Sequence, residues 1–203
     1  MLRSLPSELL KSLRLTIVYA LVTGLAYPLL VTGIAQALFP SQANGSLVTR
    51  NGQVVGSSLI GQQFISDKYF HGRPSATVDP NTGKPLPYAA NNSGGSNLAP
   101  SNKALIKRVS GDVASIKASD PGVPSSGVPV DLVTTDFSGV DPDISEAAAL
   151  TQVERVAQVR GLDPARVRAL VEAHVDGRVL WIFGEPHVNV LSLNMALDAG
   201  AAG

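Results

Sequence analysis

From Leu15 through Thr49 no residue carries a charge, and the stretch TIVYALVTGLAYPLLVTGIAQALF, Thr16 to Phe39, shows no polar face at helical spacing. A helix of a water-soluble domain keeps such a face. The 24 residues of the stretch, at about 1.5 Å each, make roughly 36 Å of helix, enough to cross a hydrocarbon core of about 30 Å with some tilt. The pattern predicts a transmembrane helix over residues 15–39. Ala35-Gln36-Ala37 has the small-x-small form of a signal cleavage site. The apolar region of a signal runs only about 7–15 residues, however, so an uncleaved anchor is the favoured reading.

Charge on the two flanks predicts orientation. Arg3, Lys11 and Arg14 stand against Glu8 before the span, and Arg50 is the first charge after it. Cationic flanks stay in the cytoplasm. Residues 1–14 are then a cytoplasmic tail, 40–56 a linker rich in Pro, Ser, Asn and Gly, and 57–203 an extracytoplasmic domain. Inside the span Ser12, Thr16, Ala20 and Thr23 recur at helical spacing, with Gly24 beside Thr23. This strip of small side chains is a candidate contact for a partner helix. Pro28 removes a backbone donor and predicts a bend.

Beyond the linker the patterns shorten. Ser57–Gln62 and Gln63–Tyr69 read as strands, and 74–100, dense in Pro, Asn, Gly and Ser, as a long loop. Ser101 is placed to cap a helix to about Lys117, with Leu105, Val109, Val113 and Ile116 on one face. Pro121–Gly127 reads as a break and Pro129–Thr135 as a strand. Asp141-Pro142 and Asp163-Pro164 each predict a helix start, a capping carboxylate before a proline at the first helical position. In the second of these helices Val167, Leu170, Val171, His174 and Val175 share a stripe, with Gly177 as its end. Val179–Phe183 reads as a strand and Val188–Leu197 as a short strand or helix. The sum is a membrane helix followed by a small α+β domain.

Composition removes several kinds of function. The 203 residues carry 16 basic and 16 acidic side chains, without the basic excess of a nucleic-acid-binding protein. There is no cysteine, hence no disulfide, thiolate catalysis or cysteine-held metal. Gly83-Lys84 is followed by proline, and Val78 stands where a phosphate loop needs its first glycine. No Gly-x-Ser-x-Gly elbow occurs. His71, His174 and His187 are far apart and give no metal-ligand spacing. His174 lies on an apolar stripe and reads as a core histidine.

The segment YFHGRPSA, residues 69–76, places His71 and Arg73 on a corner that Gly72 can bend and Pro74 holds extended. Two readings stand. One is a strand end whose arginine pairs with a nearby acid while Tyr69 and Phe70 pack inward. The other is a surface that meets a partner protein.

Five stretches in order carry a resemblance: the N-terminal apolar helix, YFHGRPSA, NNSGGSNLAPSN, SGVDPDIS leading into AALTQVERVAQVRG, and VNVLSLNMAL. Together they resemble the C subunit of the bacterial Kdp potassium-transporting ATPase over nearly the whole chain. The resemblance implies a non-catalytic accessory subunit in the bacterial cytoplasmic membrane. Its implied partners are a potassium-channel-like subunit, a P-type ATPase subunit and a small single-span subunit. It also implies that no cofactor is held tightly, with ATP reached only through the pump subunit, whose ATP affinity the C subunit is proposed to raise. A glutamine is held to approach the nucleotide, and the matching position here is Gln152. Charge flanks place Gln152 outside the cytoplasm, and ATP is inside. The physical preference is therefore an outer domain that covers the mouth of the potassium path. A membrane-anchored extracytoplasmic hydrolase and a tethered binding protein are the alternative classes.

Overall fold

A computed structural model of the chain describes residues 5–124 and 126–200. Arg3, one of the orientation-setting charges, lies outside the described residues. The fold divides into two compact units, Met1–Leu47 and Val48–Gly203.

The first unit is dominated by one continuous helix, Pro6–Leu38, of 33 residues, none of whose side chains is buried by protein in its most apolar window. It runs as α1 (Leu5–Leu21), a π-helical turn (Val22–Ala26) and α2 (Tyr27–Leu38). The predicted bend takes this form because Pro28 lacks an N–H and its ring crowds the preceding turn. The wider turn admits the ring, and the Tyr27 N–H reaches back five residues to the Val22 carbonyl. Ser12, Thr16 and Thr23 each donate their hydroxyl to the carbonyl four residues earlier, at 2.9, 2.9 and 2.7 Å. Their polar groups are thus satisfied within the helix, and the strip with Ala20 and Gly24 presents methyls and hydrogens. A single turn, α3 (Pro40–Ala43), follows.

The second unit opens on a hairpin of β1 (Leu47–Arg50) and β2 (Gln53–Ser57). Asn51 and Gly52 make the turn, both with positive φ as a tight hairpin requires. Helix α4 (Lys103–Ser119) is capped by Asn102, whose side chain accepts from the Ala104 N–H, one residue past the expected Ser101. A three-stranded antiparallel sheet has the order β3 (Asp143–Ser145), β5 (His187–Asn189), β4 (Val175–Asp176). Against it pack α5 (Glu146–Thr151) and α8 (Val190–Gly200), and α6 (Val153–Arg160) and α7 (Pro164–Glu172) pack on these helices and on each other. The core is made of Phe70, Ile144, Val153, Val156, Val167, Val171, Val188 and Leu193, all nearly inaccessible. The architecture is α+β, as the patterns imply.

Several local expectations are corrected. Apart from Ser57, which ends β2, the stretches Ser57–Gln62 and Gln63–Tyr69 are irregular rather than strands, because their backbone groups bond to side chains and distant loops: the Ser58 carbonyl accepts from Asn189 at 3.0 Å, the Gly61 N–H donates to the Val140 carbonyl at 2.8 Å, and the Asp67 carbonyl accepts from Arg155 at 2.6 Å. Pro129–Thr135 holds a 3-10 turn, Val130–Leu132. Asp141 does not cap a helix. Its carboxylate accepts from the Asp143 N–H and from Arg73, strand β3 intervenes, and Ser145 caps α5 by accepting from the Ala148 N–H. Asp163 does cap α7, accepting from the Ala165 N–H with Pro164 at the first helical position. That helix ends at Glu172, so Val175 belongs to β4 and Gly177 lies beyond it. His174 is half-buried after the helix, with Nδ1 2.8 Å from the Leu170 carbonyl. Val179–Phe183 is an exposed loop, not a strand, and Val188–Leu197 divides between β5 and α8.

Candidate functional site

The segment Phe70–Arg73 crosses the second unit in extended form, and two carboxamides hold its backbone. Asn194, on α8, accepts the Phe70 N–H at 2.9 Å and donates to the Phe70 carbonyl at 2.9 Å. Gln152, between α5 and α6, accepts the His71 N–H at 2.8 Å and donates to the His71 carbonyl at 3.1 Å. Each side chain does for one residue what a neighbouring strand would do. Both amides are 2% exposed, so the bonds form where an unmade one is costly. The apolar stripes of α6 and α8 carry them inward: Asn194 falls three positions from Leu191 and Leu197, and Gln152 lies beside Val153 and Val156.

Arg155 ties this clamp to α4. Its guanidinium, on a residue 4% exposed, donates to Asp120 at 2.7 Å, to the carbonyls of Asp67 and Tyr69 at 2.6 and 3.0 Å, and to Gln152 Oε1 at 2.6 Å. Only Arg offers donors in a fork wide enough to reach a carboxylate, an amide and two carbonyls together. Gln152 also donates to the Ala148 carbonyl at 3.3 Å. Its two amide hydrogens and both lone-pair directions are therefore occupied.

His71 and Arg73 sit at the rim. His71 Nε2 is 3.2 Å from the Ser66 carbonyl. Burial, then the positive charge of Arg155, hold its imidazole below the ordinary histidine value. Arg73 pairs with Asp141 at 3.0 Å, with both side chains partly exposed, and Phe70 is fully buried. Two parts of the first reading are present, an arginine paired with a nearby acid and Phe70 packed inward, but the segment does not end a strand and Tyr69 is only part-buried. Gly72 is required here, because a Cβ would stand 2.5 Å from the Tyr88 hydroxyl, which donates to the Arg73 carbonyl at 2.7 Å. Burial pushes that phenol up to about 12.

Ser75 and Thr77 extend the same logic into the long loop. Ser75 Oγ donates to the Gly139 carbonyl at 2.6 Å and accepts from the Tyr88 N–H at 2.9 Å. Thr77 Oγ1 donates to the Leu86 carbonyl at 2.7 Å and accepts from the Ala89 N–H at 3.0 Å. Asp136 closes the adjoining turn on the N–H of Gly139, at 2.8 Å, and on the Ser138 hydroxyl. The stretch 74–100 is therefore an ordered loop held by short side chains.

The polar groups at this centre are already partnered. Each of the three imidazoles bonds a backbone carbonyl, His71 to Ser66, His174 to Leu170 and His187 to Glu185. No group of metal-ligating side chains converges among the described residues. The cleft bordered by His71, Pro74, Asp112, Ile116 and Gln152 holds ≈ 210 Å³, and one bordered by Phe64, His71, Arg73, Pro74 and Tyr88 holds ≈ 420 Å³; of these two, the second falls within the roughly 300–1,000 Å³ of small-molecule sites.

An apolar helix of membrane-crossing length is followed by an α+β unit whose buried polar centre is bonded within itself, the build of a membrane-anchored protein. The comparisons make this specific. The family model described as "KdpC: K+-transporting ATPase, c chain" matches residues 9–199. A Potassium-transporting ATPase KdpC subunit of Rhodopseudomonas palustris strain BisB18 is 56% identical over 95% of this chain and 98% of its own. Those of Bradyrhizobium diazoefficiens and Methylobacterium nodulans are 54% and 57% identical, over 96% and 92% of this chain and 98% and 94% of theirs. The chain belongs to the KdpC family.

Arg155, Asp120 and Asn194 are the centre's unforeseen members. A polar side chain on an otherwise apolar helical stripe was the available signal for Arg155 and Asn194.

Proposed function

We propose that this chain is an accessory, non-catalytic subunit of a potassium-transporting ATPase. Its N-terminal helix packs in the bilayer against partner subunits through Ser12, Thr16, Ala20, Thr23 and Gly24. Its second unit lies outside the cytoplasm over the potassium path. The observation that carries this reading is the closure of the polar centre: Gln152, Arg155, Asp120 and Asn194 spend their hydrogen bonds on each other, on the backbone of 67–71 and Ala148, and on the Ser119 hydroxyl. Such a centre holds a shape and leaves no group poised for general acid–base or nucleophilic work. Family membership supplies the assembly, since the relatives are named as subunits of a potassium-transporting ATPase.

For Gln152 the same geometry favours a positioning role. A nucleotide bonded to its amide has to displace His71, Ala148 and Arg155 from a site 2% exposed. The clamp instead gives the YFHGRPSA corner its conformation, and any effect on ATP affinity reaches the pump subunit through that corner and the assembly.

Two measurements test the proposal. Extraction in mild detergent with the other subunits co-expressed should yield this chain in a stoichiometric complex, and recovery of the chain alone sinks it. The chain has no cysteine, so Phe137→Cys, at a position 95% exposed, gives a single label site. Labelling by a membrane-impermeant maleimide in intact spheroplasts is expected. Protection until lysis overturns the orientation.

A further inference from the structure

Val179, Leu180, Trp181, Ile182 and Phe183 are five consecutive apolar side chains at 63 to 89% exposure. They form the loop between β4 and β5. The loop is built, not slack. Val179 and Phe183 exchange two backbone hydrogen bonds of 2.9 Å, the Ile182 N–H donates to the Val179 carbonyl at 3.2 Å, and the Trp181 N–H to the Arg178 carbonyl at 3.1 Å. Leu180 and Trp181 both have left-handed backbone, φ 53 and 62, a conformation that disfavours large side chains. The chain holds two bulky residues in that region and leaves their side chains in water. Scattered apolar residues on a surface need no explanation, but a contiguous cluster with a satisfied backbone marks a contact.

Charge decides between a bilayer and a protein as the occupant. Segments that enter an anionic membrane surface carry unpaired Lys or Arg around their apolar tip. Here the one cation at the base, Arg178, is paired with Glu185 at 2.6 Å. Asp176 stands beside it on β4, opposite His187. The loop therefore rises from a neutral-to-acidic base, on a unit with 13 basic and 15 acidic residues after Leu47, a net of −2. Headgroups of an anionic bilayer gain no electrostatic attraction from that surface. An apolar pocket in a protein needs none, and a preformed aromatic knob enters it with little loss of freedom.

We propose that the 179–183 loop is a docking knob that seats in an apolar pocket on the water-facing surface of another subunit of the ATPase, an inference that rests on the accessory-subunit reading. The full chain is co-expressed with the other subunits, with photoreactive benzoylphenylalanine in place of Trp181, and irradiated in native membranes. The expected product is a covalent link to one other subunit, identified by mass, which Ile182→Asp reduces by about tenfold or more. A link only to lipid, a link to a second copy of this chain, no link, or a link that Ile182→Asp leaves unchanged overturns the proposal. Unlabelled chain carried through the same purification separates the two failures. A chain that never accompanies the other subunits sinks the subunit reading. A chain that accompanies them while position 181 touches none sinks the knob alone.

Discussion

Two regions of the second unit invert the usual partition of a folded protein. Around Phe70 and His71 an arginine, an aspartate, a glutamine and an asparagine are buried. At Val179–Phe183 five large apolar side chains stand in water. Each inversion carries a cost, and each is offset differently. The buried polar groups are compensated inside the chain, bond by bond. The exposed apolar groups have no compensation within it, and their natural complement is another molecule. The comparison teaches that the first region answers to stability and the second to assembly, so mutations should separate the two.

The largest stability loss is expected from Arg155→Met. The substitution keeps much of the side-chain volume but leaves Asp120 charged and unpaired among groups only a few per cent exposed. Removing one partner of such a pair costs about 3–5 kcal/mol. Urea unfolding of the full chain in detergent, followed by circular dichroism, reads it. A loss below 1 kcal/mol would show that the clamp does not hold the domain.

Gln152→Ala comes next, at about 3 kcal/mol, because it strands the His71 N–H and carbonyl together with one Arg155 donor. Asn194→Ala strands only the two Phe70 groups and should cost somewhat less. The two amides grip adjacent residues, so the double variant should be non-additive by 0.5 kcal/mol or more in order of magnitude. Strict additivity would mean that Phe70 and His71 are held independently.

A smaller effect concerns pH. Burial and the Arg155 charge hold His71 below its ordinary value of 6.5, so the folded chain binds fewer protons than the unfolded one between the folded and the ordinary value. Its contribution is fully present above the ordinary value and is lost as pH falls through the folded one. Stability should decline on the acid side of 6.5, and His71→Asn should flatten that decline. An unchanged profile places the acid sensitivity elsewhere.

The smallest stability effect belongs to the knob. Ile182→Ser should alter unfolding by less than about 0.5 kcal/mol, as exposed positions do, while weakening retention in the complex. A large loss of stability would mean that the loop packs against its own domain, and the contrast with the clamp would fail.

What could be read in the sequence follows from the range of the forces involved. The membrane helix was legible because length and apolarity decide it locally. The cap at Asp163 with Pro164 was legible because capping is satisfied within four residues. The same signal at Asp141 misled, since its carboxylate is drawn to Arg73, 68 positions away. Val179–Phe183 has strand composition, but a strand needs a partner along its length, and the only pairing here is the bridge between its own ends. His71 and Gln152 were singled out, yet the clamp that joins them to Arg155, Asp120 and Asn194 closes over as many as 124 positions, from Phe70 to Asn194, and Arg73 pairs outside it with Asp141. By itself the sequence determined an anchored α+β chain, because hydropathy and capping act over a few residues. Only the tertiary structure decided that its polar residues would face inward onto a backbone and its most apolar loop outward, because both placements depend on which distant groups are left without a partner.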